Sequence, residues 1–208
     1  GYQSFSAMRD AELRGHRPKG LSDLIDRLTT NHTFFWRESG HFEWMADQAL
    51  PELIAQTAPV RDIRVWCAAA STGEEPYTMA MLLREALGPQ YKSWKAGVLA
   101  TDLSARALAK AAAGRYPAEA TAGMPGTLQK YFRKAPDNMV TTRPDLKSDV
   151  LFRRFNLMTR PLPFKGRFHL VFCRNVMIYF DRETIRELTE ALFNVIEPGG
   201  YLVVGHSE

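Results

Sequence analysis

Cysteine is scarce in this chain of 208 residues, and its placement excludes several kinds of site. Neither Cys67 nor Cys173 belongs to a CxxC pair, so we expect no metal centre. Both cysteines stand in apolar stretches with the character of core strands. Such thiols are typical of reduced packing residues, which favours a cytoplasmic protein.

Long apolar runs are also missing. No segment approaches the roughly 18 consecutive apolar residues of a membrane-spanning helix, and the first residues do not form a secretory signal, so we expect no membrane insertion. A start at Gly1 and an end at Glu208, directly after an apolar strand, indicate a fragment whose sheet continues in the natural protein.

Phosphate-binding loops are absent from the place where an α/β protein would carry one. The turn that follows the first predicted strand, 69–75, matches neither GxGxxG nor a Walker loop, and it ends in Glu74 and Glu75. Two acids at a helix N-terminus repel a pyrophosphate and attract an amino or sulfonium cation. The sole role of one of them can be to stabilise the helix N-terminus. A nucleotide-phosphate oxidoreductase is therefore disfavoured.

Alternating strands and helices are the main pattern that is present. Strands are predicted at 64–70, 95–101, 150–155, 168–173 and 201–205, and helices at 74–87, at 104–113 and after Asp181, the last one closed by 198–200. This alternation predicts an α/β fold with a doubly wound, mostly parallel Rossmann-like sheet.

Two regions depart from the alternation. Residues 1–45 read as helical and irregular, with one amphipathic helix near Leu21–Leu28, and 46–208 form the main domain. The interval 115–150 is rich in proline and glycine and contains a short β-rich stretch at 139–142. We interpret this interval as an inserted antiparallel β-subdomain.

Polar residues at the strand ends indicate a ligand cleft. Asp102 ends the second predicted strand, where Rossmann-like folds hold ribose hydroxyls, although it can instead cap the next helix together with Ser104. Arg174, Asn175 and Tyr179 follow the strand at 168–173. A ligand with a ribose, a positive sulfur and no phosphate fits these residues, and S-adenosylmethionine has all three properties.

Read in order, these motifs resemble the CheR-type chemotaxis receptor methyltransferases, which are protein-glutamate O-methyltransferases. The matching segments are 30–37 (TNHTFFWR), 68–77 (AAASTGEEPY), 100–102, 155–157, 172–180 (FCRNVMIYF) and 205–208 (GHSE). The resemblance implies methyl transfer from S-adenosylmethionine, with S-adenosylhomocysteine as product, to glutamates on the acidic methylation helices of chemoreceptors. It also implies cofactor contacts from Asn31, Thr33, Arg37, Glu75, Asp102, Asn156, Leu157, Arg174, Asn175 and Tyr179.

The chain departs from the family pattern in three ways. The N-terminal helical domain is reduced to a remnant, the last strands of the sheet are missing, and the insertion is about three residues shorter than in members that tether to a receptor C-terminal pentapeptide. From the shorter insertion, which the resemblance identifies with the receptor-contacting β-subdomain, we predict that this protein does not use the tether.

Methylation of a glutamate needs no general base, because a carboxylate with a reference pKa of about 4.3 is already ionised at neutral pH. We therefore predict that catalysis depends on orientation, with Arg37, Arg174 and Tyr179 lining the methyl end. Two alternatives for these residues stay open. The sole role of Arg174 can be to pair with a core carboxylate, and Tyr179 can be a packing residue.

Two other functions compete with this prediction. Ten basic and three acidic residues between Leu128 and Arg167 give that segment a net charge of +7, which leaves −3 for the rest of a chain whose total is +4. Such a segment suits a methyltransferase that acts on RNA, but it lacks interleaved aromatic residues on which bases could stack, so nucleic acid is not expected. The reduced N-terminal domain keeps open a non-catalytic sensor that binds S-adenosylmethionine or S-adenosylhomocysteine.

Overall fold

The computed structural model describes residues 32–208, and its frame is a five-stranded parallel sheet. Its strands are β1 (Asp62–Cys67), β2 (Lys95–Asp102), β6 (Val150–Arg154), β7 (Phe168–Cys173) and β8 (Ile196–Val204). The strand order is β6-β2-β1-β7-β8, so the chain winds outward in opposite directions from β1. The doubly wound sheet is confirmed, and its switch point between β1 and β7 is where such folds open a crevice.

Helices cover the sheet. They are α1 (Ser39–Trp44), α2 (Leu50–Thr57), α3 (Glu74–Leu87), α4 (Ala105–Ala113), α5 (Pro144–Lys147) and α6 (Arg182–Asn194). A wide turn of π-helix, Met45–Ala49, joins α1 to α2, so this helical run passes through residue 45 without a break. Within residues 32–208, no helix combines the length and hydrophobicity needed to cross a membrane.

Two apolar cores lie on opposite faces of the sheet. One contains Tyr77 of α3 and Phe172 of β7, and the other contains Trp66 of β1 and Leu188 of α6. Successive residues of a strand point to opposite faces, so β1, β2 and β7 contribute to both cores. Cys67 belongs to the first core and Cys173 to the second, and both are free thiols, as predicted.

The predicted insertion is a three-stranded antiparallel sheet. It consists of β3 (Arg115–Pro117), β4 (Phe132–Ala135) and β5 (Met139–Thr142), in the order β3-β5-β4. Side chains fasten it to α3, since Glu85 accepts hydrogen bonds from Lys130 and Tyr131. The segment that leads back to the main sheet is held by Arg84, which pairs with Asp145 and Asp149.

Three predicted boundaries were wrong. The helix that Asp181 caps ends at Asn194, not at 198–200, and β8 begins at Ile196 instead of 201. The residues 198–200 lie inside β8, where Gly199 adopts a φ of 79° and the register with β7 shifts. A bulge in the last strand of the sheet order accommodates proline and glycine, which the sequence pattern could only indicate as a stop signal. Likewise, β1 ends at Cys67, and residues 68–70 belong to the following loop. The predicted helix near Leu21 lies outside the described residues.

Candidate functional site

A cavity of about 560 Å³ lies at the carboxyl ends of β1, β2 and β7, a size typical of small-molecule sites. Nine of the ten residues predicted to contact the cofactor line it: Thr33, Arg37, Glu75, Asp102, Asn156, Leu157, Arg174, Asn175 and Tyr179. The tenth, Asn31, lies outside the described residues. The structure thus brings the predicted set together around one cavity, and the individual cofactor contacts stay a prediction.

The loop between β1 and α3 forms one wall of this cavity. It turns sharply, with Ser71 at a φ of 47° and Gly73 at a φ of 99°, and Gly73 is the residue that precedes the first turn of α3. A Cβ atom on Gly73 would lie 2.8 Å from the Cβ of Ala111, so only glycine fits between the loop and α4. Ala69 and Ser71 of this turn line the cavity.

Asp102 fixes this loop from the end of β2. One carboxylate oxygen accepts a hydrogen bond from the backbone N–H of Ser71 and the other from that of Ser104, both at 2.8 Å. The cap of α4 is Ser104, whose hydroxyl accepts from the N–H of Ala107 at 3.0 Å. Ser104 therefore caps α4, and the Asp102 carboxylate lies at the cavity wall.

Glu74 and Glu75 have different surroundings. The Glu74 carboxylate accepts a hydrogen bond from the Thr72 hydroxyl at 2.7 Å, so this side chain lies against the loop that precedes α3. Glu75 lines the cavity and lies 3.2 Å from the Cys67 sulfur, whose thiol donates to it. Burial raises the pKa of Glu75, and the neighbouring Arg174 acts in the opposite direction. Of the two acids, Glu75 is therefore the one that can meet a cationic ligand group.

Arg174 is buried at the end of β7, with 1% of its side chain exposed. Its Nη1 donates to Glu75 at 2.5 Å, and its Nη2 donates to the Arg37 carbonyl at 2.7 Å and lies 3.0 Å from the Glu38 carboxylate. The Nε–H group is buried and has no hydrogen-bond partner within residues 32–208. The guanidinium is thus fixed by two carboxylates and one backbone carbonyl.

The other predicted catalytic residues are more accessible. Arg37 is half-buried, and its Nη1 donates to the carbonyl of His32 at 2.8 Å. Tyr179 ends a short 3₁₀ turn, Met177–Tyr179, and is 61% exposed at the cavity. Both side chains can therefore reach a group that enters from solvent.

Sequence reasoning missed two carboxylates that organise the site. Glu38 contacts Arg174, and Asn175 donates to it at 3.0 Å. Glu208 accepts from the backbone N–H groups of Val176 and Met177 at 2.6 and 2.7 Å, which closes the chain end onto the loop after β7. Each lies in or beside a quoted motif, but only the tertiary structure shows the groups it contacts. The apolar lining from Phe155, Met158, Val176 and Phe180 was also missed.

The fold and the cavity define a class, the Rossmann-like S-adenosylmethionine-dependent methyltransferases. Acids at two strand ends suit a ribose and a cation, and the apolar lining suits an adenine ring. The chain matches the model of the CheR methyltransferase SAM-binding domain over residues 31–208, and it belongs to this family.

Three curated relatives agree with this assignment. A chemotaxis protein methyltransferase of Borreliella burgdorferi is 40% identical over 191 residues, which are 90% of this chain and 68% of the relative. One of Escherichia coli is 40% identical over 89% of this chain and 63% of its own length. Chemotaxis protein methyltransferase 1 of Pseudomonas aeruginosa is 39% identical over 91% and 70%. The chain thus corresponds to about two thirds of these proteins.

Proposed function

We propose that this domain transfers a methyl group from S-adenosylmethionine to glutamate side chains of chemoreceptors, which forms glutamate methyl esters in chemotaxis adaptation. The observation that carries the proposal is the convergence of Asp102, Glu75 and Arg174 at the carboxyl ends of neighbouring strands, in a cavity built by the family motifs. The names of the curated relatives support the chemoreceptor as the substrate.

Each acid in the cavity has a distinct role in this proposal. Asp102 holds the ribose hydroxyls, and Glu75 holds the amino group, because an ionised carboxylate accepts hydrogen bonds and attracts a cation. Asn156 and Leu157, which line the wall beside Phe155, border the adenine. S-adenosylmethionine supplies the methyl group on a positively charged sulfur.

The acceptor glutamate acts as an ionised nucleophile, so the domain has to orient it and exclude water from it. We assign the orientation to Arg37 and Tyr179, whose side chains are the accessible ones. Arg174 was predicted with them, but its two ion pairs favour a positioning role.

The proposed partners are the acidic methylation helices of chemoreceptors. We also propose that the enzyme acts in the cytoplasm and does not bind nucleic acid. The basic segment 128–167, which includes strands β4 and β5 of the β-subdomain, suits an acidic partner. We also propose that residues 1–45 are the remnant of a helical domain, and that the short insertion does not bind a receptor pentapeptide. Measurable affinity for such a peptide in a calorimetric titration would overturn the last point.

The test is methyl transfer from S-adenosylmethionine labelled in its methyl group to a purified receptor signalling domain. We expect label that alkali releases as methanol, because carboxyl methyl esters hydrolyse and methylated amines or RNA bases do not. The matched controls are a receptor whose acceptor glutamates are replaced by alanine and the enzyme variant Asp102→Ala. Alkali-stable label, or label on added RNA, would contradict the proposal.

The two alternatives are not favoured. Tyr131, an aromatic residue within the basic segment, is buried, so it offers no surface on which bases could stack. Detectable methyl transfer in the experiment above would dismiss a sensor without catalysis.

A further inference from the structure

Glu38 connects three separated segments of the chain beside the cavity. Its carboxylate lies 3.0 Å from Arg174 Nη2, accepts from the Asn175 amide at 3.0 Å, and accepts from the backbone N–H of His206 at 3.4 Å. These partners follow β7 and β8, whereas Glu38 itself precedes α1. The side chain is 15% exposed, so these contacts are largely removed from water.

The backbone at Glu38 is unfavourable, and tertiary contacts maintain it. Glu38 has a φ of 56° and a ψ of 61°, the left-handed region that a non-glycine residue seldom adopts. Holding a non-glycine residue there costs free energy, so the surrounding contacts have to determine the conformation. Strain of this kind is concentrated at ligand sites, where it places a particular group.

Glu38 and Glu75 hold the Arg174 guanidinium from two sides. Nη1 is bound to Glu75 and Nη2 lies against Glu38, so the planar group cannot rotate while both carboxylates are in place. This leaves its buried Nε–H, which has no partner within the described residues, in one fixed direction. Asn175, which also lines the cavity, is fixed by the same carboxylate.

We propose that Glu38 is a positioning residue for the methyl donor: it sets the directions of Arg174 and Asn175, which then bind the amino-acid half of the cofactor. The inference rests on the proposed function, because it assumes that the donor occupies this cavity. Glu38 acts through its two neighbours, since it is absent from the residues that line the cavity.

A metal site is the competing interpretation of the same residues. One ligand atom each from Glu38, His41 and His206 lie within 4.8 Å of one another, a spacing that could hold a metal ion. However, the Glu38 oxygen that faces His41 Nδ1 at 3.4 Å is also the oxygen paired with Arg174. A guanidinium at 3.0 Å from that oxygen opposes a dication, so we favour the positioning role.

The experiment measures the affinity of two ligands for the 208-residue chain by calorimetric titration. S-adenosylhomocysteine has the amino-acid half, and 5′-methylthioadenosine has the same nucleoside and sulfur without it. The variants are Glu38→Gln, which removes the charge, and Glu38→Asp, which keeps it. Glu43→Gln is the control, because Glu43 is an exposed acid on α1. Melting temperatures are recorded with and without zinc.

In Glu38→Gln we expect S-adenosylhomocysteine to bind about tenfold more weakly, the effect of one charged hydrogen bond, and methylthioadenosine to bind within about twofold of the parent. Glu38→Asp should recover part of the loss, and Glu43→Gln should match the parent.

Three results would overturn the inference: unchanged affinity in Glu38→Gln, equal weakening of both ligands together with a lower melting temperature, or zinc stabilisation of the parent that Glu38→Gln abolishes. If Glu38→Gln does not fold, the comparison is made with Glu38→Asp, which should weaken S-adenosylhomocysteine more than methylthioadenosine. A parent chain that binds neither ligand would instead contradict the proposed function, and the inference with it.

Discussion

At the scale of single residues, the site depends on a buried chain of alternating charges. Glu75, Arg174 and Glu38 follow one another through contacts of 2.5 and 3.0 Å. Removing one of these charged side chains lowers the free energy of unfolding by more than its ion pair adds to it, because the remaining charge stays buried without its partner. The thiol of Cys67 adds a hydrogen bond to Glu75, and burial raises the pKa of that thiol, so it stays protonated as a donor.

Acid should weaken the fold partly through Glu38. Burial by itself raises the pKa of Glu38, but hydrogen bonds from Asn175 and Arg174 outweigh it and lower that pKa to about 2, from a reference of 4.5. A carboxyl group with a depressed folded pKa stabilises the protein above its unfolded pKa, and this stabilisation is lost as the pH falls towards the folded pKa.

We therefore expect a shallower decline of the melting temperature between about pH 5 and about pH 3 in Glu38→Gln than in the parent. Calorimetric scans at each pH check this, with Glu43→Gln expected to follow the parent. Parallel curves for the parent and Glu38→Gln would show that the Glu38 carboxylate has no part in acid unfolding.

Asp102→Ala should affect both stability and ligand binding. The two backbone N–H groups that Asp102 accepts from would lose their partner, at a cost of about 1–3 kcal/mol in the free energy of unfolding. S-adenosylhomocysteine should bind at least about tenfold more weakly, since the ribose loses its acceptor. Urea unfolding and calorimetric titration measure the two effects. Asp137→Asn is the control, because the Asp137 side chain is 86% exposed, and it should change neither the free energy of unfolding nor the ligand affinity. If it reduced both as much as Asp102→Ala does, the effects of Asp102→Ala would not be specific to the site.

At the scale of elements, loops at the strand ends matter more than the strands themselves. The strands β1 and β7 are largely buried and supply the rigid frame. The loop after β1 is positioned by contacts from other elements: Ala70 donates to the Thr101 carbonyl at 2.9 Å, and the Tyr116 hydroxyl donates to the Thr72 carbonyl at 2.8 Å. The β-subdomain, which carries Tyr116, therefore supports the cavity wall.

Gly73→Ala should disrupt this wall. The new Cβ would lie 2.8 Å from the Cβ of Ala111 and 2.9 Å from the Tyr116 hydroxyl, at a φ that alanine disfavours. We expect a loss of about 2–4 kcal/mol in the free energy of unfolding, together with weaker ligand binding. Gly40→Ala is the matched control in α1, where a Cβ meets nothing within 4 Å, and it should stabilise by about 0.5–1 kcal/mol. Equal effects of the two substitutions in urea unfolding would contradict the steric argument.

At the scale of the whole molecule, α3 joins the main sheet to the β-subdomain. Arg84, near the end of α3, contacts Asp145 and Asp149, which lead from the subdomain into β6, and its guanidinium lies 4.7 Å from the centre of the Tyr91 ring. These contacts connect parts of the molecule that are distant in sequence.

Arg84→Met should therefore destabilise the whole molecule by about 2 kcal/mol, since two partly buried carboxylates lose their charged donor. Urea unfolding measures the change. Arg186→Met is the matched control: Arg186 pairs only with Glu183 and Glu190 on the exposed face of α6, among the contacts of the described residues, and its replacement should leave the midpoint unchanged. If the Arg84 variant unfolds like the parent, the connection between the two sheets depends on apolar packing alone.

Much of this architecture was predictable because local patterns dictate it. The bounds of α3 follow from its apolar periodicity and the Gly88-Pro89 stop, and the cap at Asp181 was also predicted correctly. The start of β8 was not predictable, because Pro198 and Gly199 lie inside a strand that only pairing with β7 maintains. Local signals cannot report a register shift that depends on a partner strand.

The sequence by itself determined the parallel sheet, the inserted subdomain and the strand-end residues Glu75, Asp102 and Arg174, because hydrophobic periodicity and strand-end position are local properties. The other cavity residues, such as Arg37 and Asn156, were predicted from the family resemblance. Only the tertiary structure decided which acid has which role. Ser104 caps α4, and Asp102 lies at the cavity. The Glu74 side chain lies against the loop before α3, whereas Glu75 and Glu38 contact Arg174 from opposite sides. Partnerships between charges far apart in the chain depend on distances in space, which spacing along the sequence does not encode.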